Sequence, residues 1–173
     1  DGIRLGWRRG FDSGESLDYV YANTPRGITA LGRLLDRIYL NSVGWVAIRQ
    51  RKANLEKLLG AAIERVHAEG KPVRLLDIAS GPGRYVLETL KTLSHLPASA
   101  VLRDRDTGNL EMGKLLAREL NVTNVTYERG DAFDSASLGA TAPPPTVAVV
   151  SGLYELFPDN DLIARSLAGL SAA

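Results

Sequence analysis

Residues 74–86 read Arg-Leu-Leu-Asp-Ile-Ala-Ser-Gly-Pro-Gly-Arg-Tyr-Val. An apolar run (Val73, Leu75, Leu76) ends in a carboxylate, Asp77, and a loop of small residues follows: Ala79, Ser80, Gly81, Pro82 and Gly83. A helix-like apolar pattern begins directly after it. Only small residues let a backbone turn this tightly and let a ligand reach main-chain N–H groups. Strand, glycine loop, helix is the order by which open α/β sheets hold a nucleotide-like ligand. The carboxylate narrows the class. Asp77 would repel a pyrophosphate seated in the loop, whereas it suits a ligand that carries an ammonium group.

From Pro72 onward the chain alternates. Strands are expected at 73–78, 99–104, 123–128 and 146–150, and helices over about 83–95, 108–120 and 159–170. Strands rich in Val and Leu between helices of ten or more residues argue for a parallel sheet covered on both faces. Right-handed crossovers order the strands 3-2-1-4, with a switch point between the first and the fourth. Pro143-Pro144-Pro145 makes a stiff lead-in to the last of them. The fold class is therefore α/β, a Rossmann-like parallel sheet whose C-terminal strands are missing, with an N-terminal helical extension.

Ahead of Pro72 the texture differs. Residues 1–27 are rich in Gly and Arg, with scattered aromatics (Trp7, Phe11, Tyr19, Tyr21) and no sustained period, and read as an irregular arm. Ile28, Leu31, Leu34, Leu35 and Ile38 form a helical stripe that Gly44 interrupts. A second stripe runs through Leu55, Leu58, Leu59, Ala62, Ile63 and Val66, and ends near Gly70-Lys71-Pro72. Two domains are expected: 1–71, an arm and helical cap, and 72–173, the ligand-binding sheet. The helices form a cap beside the pocket or pack against another domain. The cluster Arg49-Gln50-Arg51-Lys52 reads as a solvated helix face, or more sharply as a contact for an anionic substrate or membrane surface.

Charge is nearly balanced, 21 Lys and Arg against 20 Asp and Glu, which gives no general case for nucleic acid. The acids gather in the half that holds the glycine loop: residues 75–173 carry 12 acidic and 8 basic side chains, which fits a cationic ligand better than a polyphosphate. There is no cysteine, so thiolate metal sites, disulfides and cysteine nucleophiles are excluded. His67 and His95 are the only histidines; both fall near helix ends, away from the loop, and read as solvent-facing. No metal site is expected. With no signal peptide and no apolar run near the roughly 20 residues that span a bilayer, a cytoplasmic protein is expected. Asp1 in place of a methionine and a stop at Ala173 inside a helical pattern suggest a piece of something longer, with a fused or adjacent domain beyond it.

Ligands in such sheets lie across the carboxyl ends of the strands. The residues expected there are Asp77, Asp104, Asp131 and Ser151-Gly152, and the three aspartates are 27 residues apart each time. Half-buried like charges are costly unless partnered, so three acids on one rim ask for a ligand rich in hydroxyl and amine donors. Asp77 either caps its turn or meets the ammonium. Asp104 suits a ribose diol, with Asp106 as the fallback, and either could instead cap a helix. Asp131, in Gly130-Asp131-Ala132-Phe133, is a turn aspartate or the partner of an adenine amino group.

Asp77-Ile78-Ala79-Ser80-Gly81-Pro82-Gly83-Arg84 resembles the first motif of class I S-adenosylmethionine-dependent methyltransferases, acid-x-Gly-x-Gly-x-Gly, with Ala79 in place of the first glycine. Asp104 falls where that family keeps its ribose-binding acid, and Gly130-Asp131-Ala132 resembles the motif after its third strand. The resemblance covers residues 73–170. It implies S-adenosylmethionine as cofactor, held by Asp77, Ala79, Ser80, Gly81, Gly83, Arg84, Asp104, Arg105, Asp131, Ala132, Phe133 and Ser151. Arg84 is placed to pair with the cofactor carboxylate or with a neighbouring acid. If the acceptor must lose a proton, Tyr154 and Glu155, after the fourth strand, are the candidate catalytic residues.

More narrowly, Leu17-Asp18-Tyr19-Val20-Tyr21, Gly44-Trp45 with Ile48–Lys52, and Ser151–Phe157 resemble a bacterial methyltransferase family sometimes fused to an α/β-hydrolase domain. The implied acceptor is a small molecule or a lipid-related compound. Two other readings stand beside this one. The first is a non-catalytic cofactor-binding or interaction module. The second is an NAD-dependent oxidoreductase, disfavoured because Val86 occupies the third position of Gly-x-Gly-x-x-Gly.

Overall fold

The structure, a computed structural model, describes all 173 residues. They form two compact units, Asp1–Leu58 and Leu59–Ala173.

The first unit is helical: α1 (Gly2–Arg9), α2 (Gly14–Ala22), α3 (Ala30–Leu40) and the opening turns of α4 (Val43–Ala68). The expected irregular arm is therefore two helices. Ser13 caps α2 by accepting the Ser16 N–H, and Asn23 closes it in the left-handed conformation. Apolar periodicity missed α1 because its buried positions are Gly2 and Gly6. A Cβ on Gly2 would lie 2.5 Å from Tyr39 Cε1, and one on Gly6 2.1 Å from Phe11 Cε1, so aromatic rings fill the space that side chains of α1 would take. The core of the unit is Tyr19, Val20 and Leu40, with Leu5, Tyr39, Trp45 and Ile48 packed on it.

Asp36 is buried in this unit and accepts the Gly2 N–H at 2.8 Å, the Arg26 N–H at 2.8 Å and the Tyr19 hydroxyl. Burial pushes its carboxyl up, but the hydrogen bonds, Tyr19 first, outweigh that and hold it near 2. The expected stripe on α3 is real, yet Leu31, Leu34, Leu35 and Ile38 are all exposed, while Asp36 and Leu40 face inward. The helix turns its polar residue in because Asp36 is fully partnered there. Arg49 donates to the Leu40 carbonyl at 2.7 Å and Lys52 pairs with Glu56 at 2.6 Å, so two of the basic cluster serve local structure.

The second unit begins inside α4, where Leu59, Ile63 and Val66 are buried, some turns ahead of the expected boundary at Pro72. The sheet follows as β1 (Val73–Ile78), α5 (Arg84–Thr92), β2 (Ala98–Asp104), α6 (Thr107–Leu120), β3 (Val125–Arg129), α7 (Ser135–Gly139), β4 (Val147–Val150) and α8 (Asn160–Ala172). All pairings are parallel and the order is β3-β2-β1-β4, as expected. The short α7 was not legible in the apolar pattern; Asp134 caps it by accepting the Ser137 N–H at 3.0 Å. Leu76, Ile78, Ala132 and Leu138 form one core cluster, joined by Ala79, Val101, Val150, Leu153 and Leu170. His67 and His95 are exposed. No helix is long and apolar enough to cross a membrane.

Candidate cofactor site

Register places Asp77 opposite Leu102 in β2 and Val149 in β4. Asp104 ends β2, two residues beyond Leu102, so by the two-residue period of a strand it projects from the same sheet face as Asp77. The loop between them is shaped by left-handed backbone at Ala79 (φ 53°), Gly81 (φ 56°) and Gly83 (φ 72°). Gly83 is also where α5 starts, and a Cβ there would stand 2.4 Å from Leu102 Cδ1. Gly113 of α6 is missing a side chain for a similar reason: a Cβ would be 2.8 Å from the Pro82 carbonyl oxygen. The loop is thus held from both sides, and only glycine lets the helix and the strand come that close.

Asp104 binds the loop directly. Its Oδ2 accepts the Gly81 N–H at 2.8 Å, and its Oδ1 accepts the Asp106 N–H at 2.8 Å and the Asn109 amide at 3.3 Å. A carboxylate offers about four acceptor sites, so this one has about one to spare. It can take one ribose hydroxyl as it stands, and a second if the Asn109 amide, its longest contact, gives way. Asp106, the fallback, caps α6 by accepting the Gly108 N–H at 2.7 Å and is exposed.

Asp77 is fully buried. Its Oδ2 accepts the Tyr85 hydroxyl at 2.6 Å, and its Oδ1 has no hydrogen-bond partner. Burial drives the carboxyl up to about 8; the Tyr85 bond works against that rise and the negative charge of Asp104 adds to it. A buried acceptor with no donor is costly, which makes Oδ1 the one atom of the rim that a cationic donor would relieve. Tyr85 was not legible as a partner of Asp77, because an aromatic eight residues past the acid on a helix reads as core.

The remaining candidates are divided. Ser80 and Gly83 hold the loop together, Ser80 N–H donating to the Arg103 carbonyl at 3.1 Å and Gly83 N–H to the Ser80 carbonyl at 3.0 Å. Arg84 pairs with Glu88 at 3.3 Å, the neighbouring-acid alternative. Arg105 is exposed. Asp131 is exposed and accepts the Phe133 N–H at 2.9 Å, a turn in which its side chain takes part. Phe133 lies 4.7 Å from Phe157 and 6.3 Å from Tyr154, ring centre to ring centre. Tyr154 donates to Ser166 Oγ at 2.9 Å, and the buried Ser166 donates to the Ala132 carbonyl. Tyr154 is therefore tied to α8, with its proton committed. Glu155 is exposed, and Ser151 half-buried. A hollow of about 460 Å³ lined by Arg74, Ser99 and Val125 lies at the opposite, amino ends of the strands and contains none of these residues.

A parallel 3-2-1-4 sheet with helices around it, a glycine loop after β1 and acids at the ends of β1 and β2 is the arrangement of a Rossmann-like methyltransferase fold. Residues 1–173, the whole chain, match the family described as "Putative methyltransferase", and the chain belongs to that family. It is 50% identical over 175 residues to the Escherichia coli (strain K12) protein described as uncharacterized protein YnbC, covering 99% of this chain and 29% of that one. The chain thus spans under a third of the length of this relative. Among solved structures, a possible exported protein of Bordetella parapertussis is similar with a TM-score of 0.64 at 17% identity, over 89% of this chain and 48% of that one. PKMT2 of Rickettsia typhi, solved in complex with AdoHcy, is similar with a TM-score of 0.50 at 20% identity, over 58% of this chain and 18% of that one. At these identities the two structures speak for the fold.

Proposed function

We propose that residues 72–173 bind S-adenosylmethionine and that the chain is part of an enzyme transferring its methyl group to a small-molecule or lipid-related acceptor. The observation that carries this is the buried, unpartnered Asp77 Oδ1 next to a glycine loop clasped by Asp104. An S-adenosyl ligand has donors matched to both acids: an ammonium at one end and a ribose diol in the middle. PKMT2, which shares the fold, was solved with AdoHcy.

In this reading Asp77 receives the ammonium through Oδ1. The first turn of α5 favours the ligand's carboxylate, since a helix start presents unpaired N–H groups and a positive dipole end. Asp104 receives the ribose, and its bond to Gly81 couples that grip to the shape of the loop. Asp131 faces the adenine amino group, with Ala132 and Phe133 against the ring. When bound, the sulfonium supplies an already activated methyl carbon. The protein's task is then alignment and exclusion of water. Tyr154 shapes the acceptor side as an anchored wall, its hydroxyl spent on Ser166, and Glu155 is left as the candidate base if a proton must be removed.

A melting scan with S-adenosylhomocysteine and with NAD tests the reading. S-adenosylhomocysteine at a hundred times its Kd stabilises by about 2.7 kcal/mol, which shows as a clear rise in melting temperature. A rise with NAD and none with S-adenosylhomocysteine would refute it.

A further inference from the structure

We propose that Tyr85 is a positioning residue for the amino-acid end of the cofactor: its hydroxyl pins Asp77 Oδ2 and so presents Oδ1 to the ligand's ammonium. This rests on the S-adenosyl reading above. Tyr85 is 5% exposed and sits in the first turn of α5, one residue after Arg84 and two after the left-handed Gly83. The glycine loop therefore places the tyrosine as well as the ligand. With Oδ2 held at 2.6 Å, the carboxyl plane cannot swing freely about its last bond, and the unpartnered oxygen keeps a fixed direction.

The surroundings supply no substitute for Tyr85. The loop 79–83 carries no charged side chain, and β4 none. On β2 the charged neighbours are Asp104, which is negative, and Arg103, whose guanidinium is held 2.7 Å from Glu128 and 3.2 Å from the Ser137 carbonyl. On α5, Arg84 is paired with Glu88. An ammonium from the ligand is the countercharge this carboxyl lacks. Before binding, the carboxyl holds its proton near neutral pH, as its upward displacement to about 8 supports. On binding it releases that proton to solvent and pairs with the ammonium. Tyr85 eases this step, because a hydroxyl donating to a carboxylate favours the ionised form.

The test compares two ligands by calorimetry. S-adenosylhomocysteine carries the ammonium and carboxylate; 5′-methylthioadenosine has the same adenosine and thioether without them. Tyr85→Phe removes one oxygen and keeps the ring. It should weaken S-adenosylhomocysteine about tenfold or more, the range for a hydrogen bond to a charged group, and leave methylthioadenosine within about twofold. A second measurement needs no variant. For the wild-type protein the ratio of the two affinities should rise about tenfold between pH 6 and pH 7, as linkage to one ionising carboxyl requires. Equal losses on both ligands, or no loss on either, would overturn the positioning role, and so would a flat ratio. Wild-type protein that binds neither ligand would instead overturn the S-adenosyl reading itself.

Discussion

Gly83→Ala and Ala79→Gly change the same loop by one methyl in opposite directions, and the structure assigns them opposite signs. At Gly83 the backbone has φ 72°, and the added Cβ would meet Leu102 Cδ1 at 2.4 Å and Cδ2 and Cγ at 3.4 Å. Leu102 is 0% exposed, so it has no solvent to retreat into. Left-handed backbone costs a non-glycine residue about 1–2 kcal/mol. Overpacking a core adds about 1–3 kcal/mol. Stiffening of the unfolded chain returns about 0.4–1 kcal/mol, for a net loss of about 1–5 kcal/mol.

Ala79 is the reverse case. It sits at φ 53° and its methyl is only half-buried. Glycine relieves about 1–2 kcal/mol of strain but gives back the unfolded-state term and part of a methyl burial. The expected outcome is no loss, and up to about 1 kcal/mol of gain. Urea unfolding should be followed by far-UV circular dichroism, since Trp7 and Trp45 both lie in the first unit and would not report on the sheet. With a slope of about 1–3 kcal/mol/M, a Gly83→Ala loss in the middle of that range, about 3 kcal/mol, moves the midpoint down by about 1 M or more. A Gly83→Ala loss under about 0.5 kcal/mol, or an Ala79→Gly loss above about 1 kcal/mol, would refute the steric account of this loop.

Two further perturbations separate ligand roles from structural ones. Asp104→Ala should abolish measurable S-adenosylhomocysteine binding in calorimetry while the protein still folds; Asp106→Ala should cost about 1 kcal/mol as a lost helix cap and leave affinity unchanged. If the Asp106 variant alone loses binding, the ribose contact lies two residues further on. The pH dependence of stability follows from Asp77, whose folded carboxyl is raised from 3.8 to about 8. The folded state binds more protons than the unfolded one across that window, so the contribution is present in full below pH 4 and is lost as pH rises toward 8. Asp77→Asn should remove this decline, read from urea midpoints at pH 5 and pH 8; an unchanged decline would assign it to another group.

Local chemistry was legible where a residue's role depends on its chain neighbours. The apolar run into Asp77, the small residues of 79–83 and the alternation of strands and helices give the β1–loop–α5 unit and the strand order without coordinates, because periodicity and crossover handedness act over short stretches. The same logic put Asp104 at the end of β2, where the structure has it. It failed for α1, whose buried face is glycine, and for α3, whose apolar stripe faces out while a carboxylate faces in.

Short-range pattern alone was enough to specify an acid-tipped, glycine-looped parallel sheet and the end of it that is the candidate for a ligand. Packing, which no short stretch of chain encodes, is what makes Tyr85 hold Asp77, spends most of the acceptor capacity of Asp104 on Gly81, Asp106 and Asn109, and ties Tyr154 to Ser166. Those facts depend on which donor reaches which oxygen within about 3 Å. Such distances are set by how helices seat on the sheet, through contacts like Gly83 on Leu102 and Gly113 on Pro82, between residues far apart in the chain.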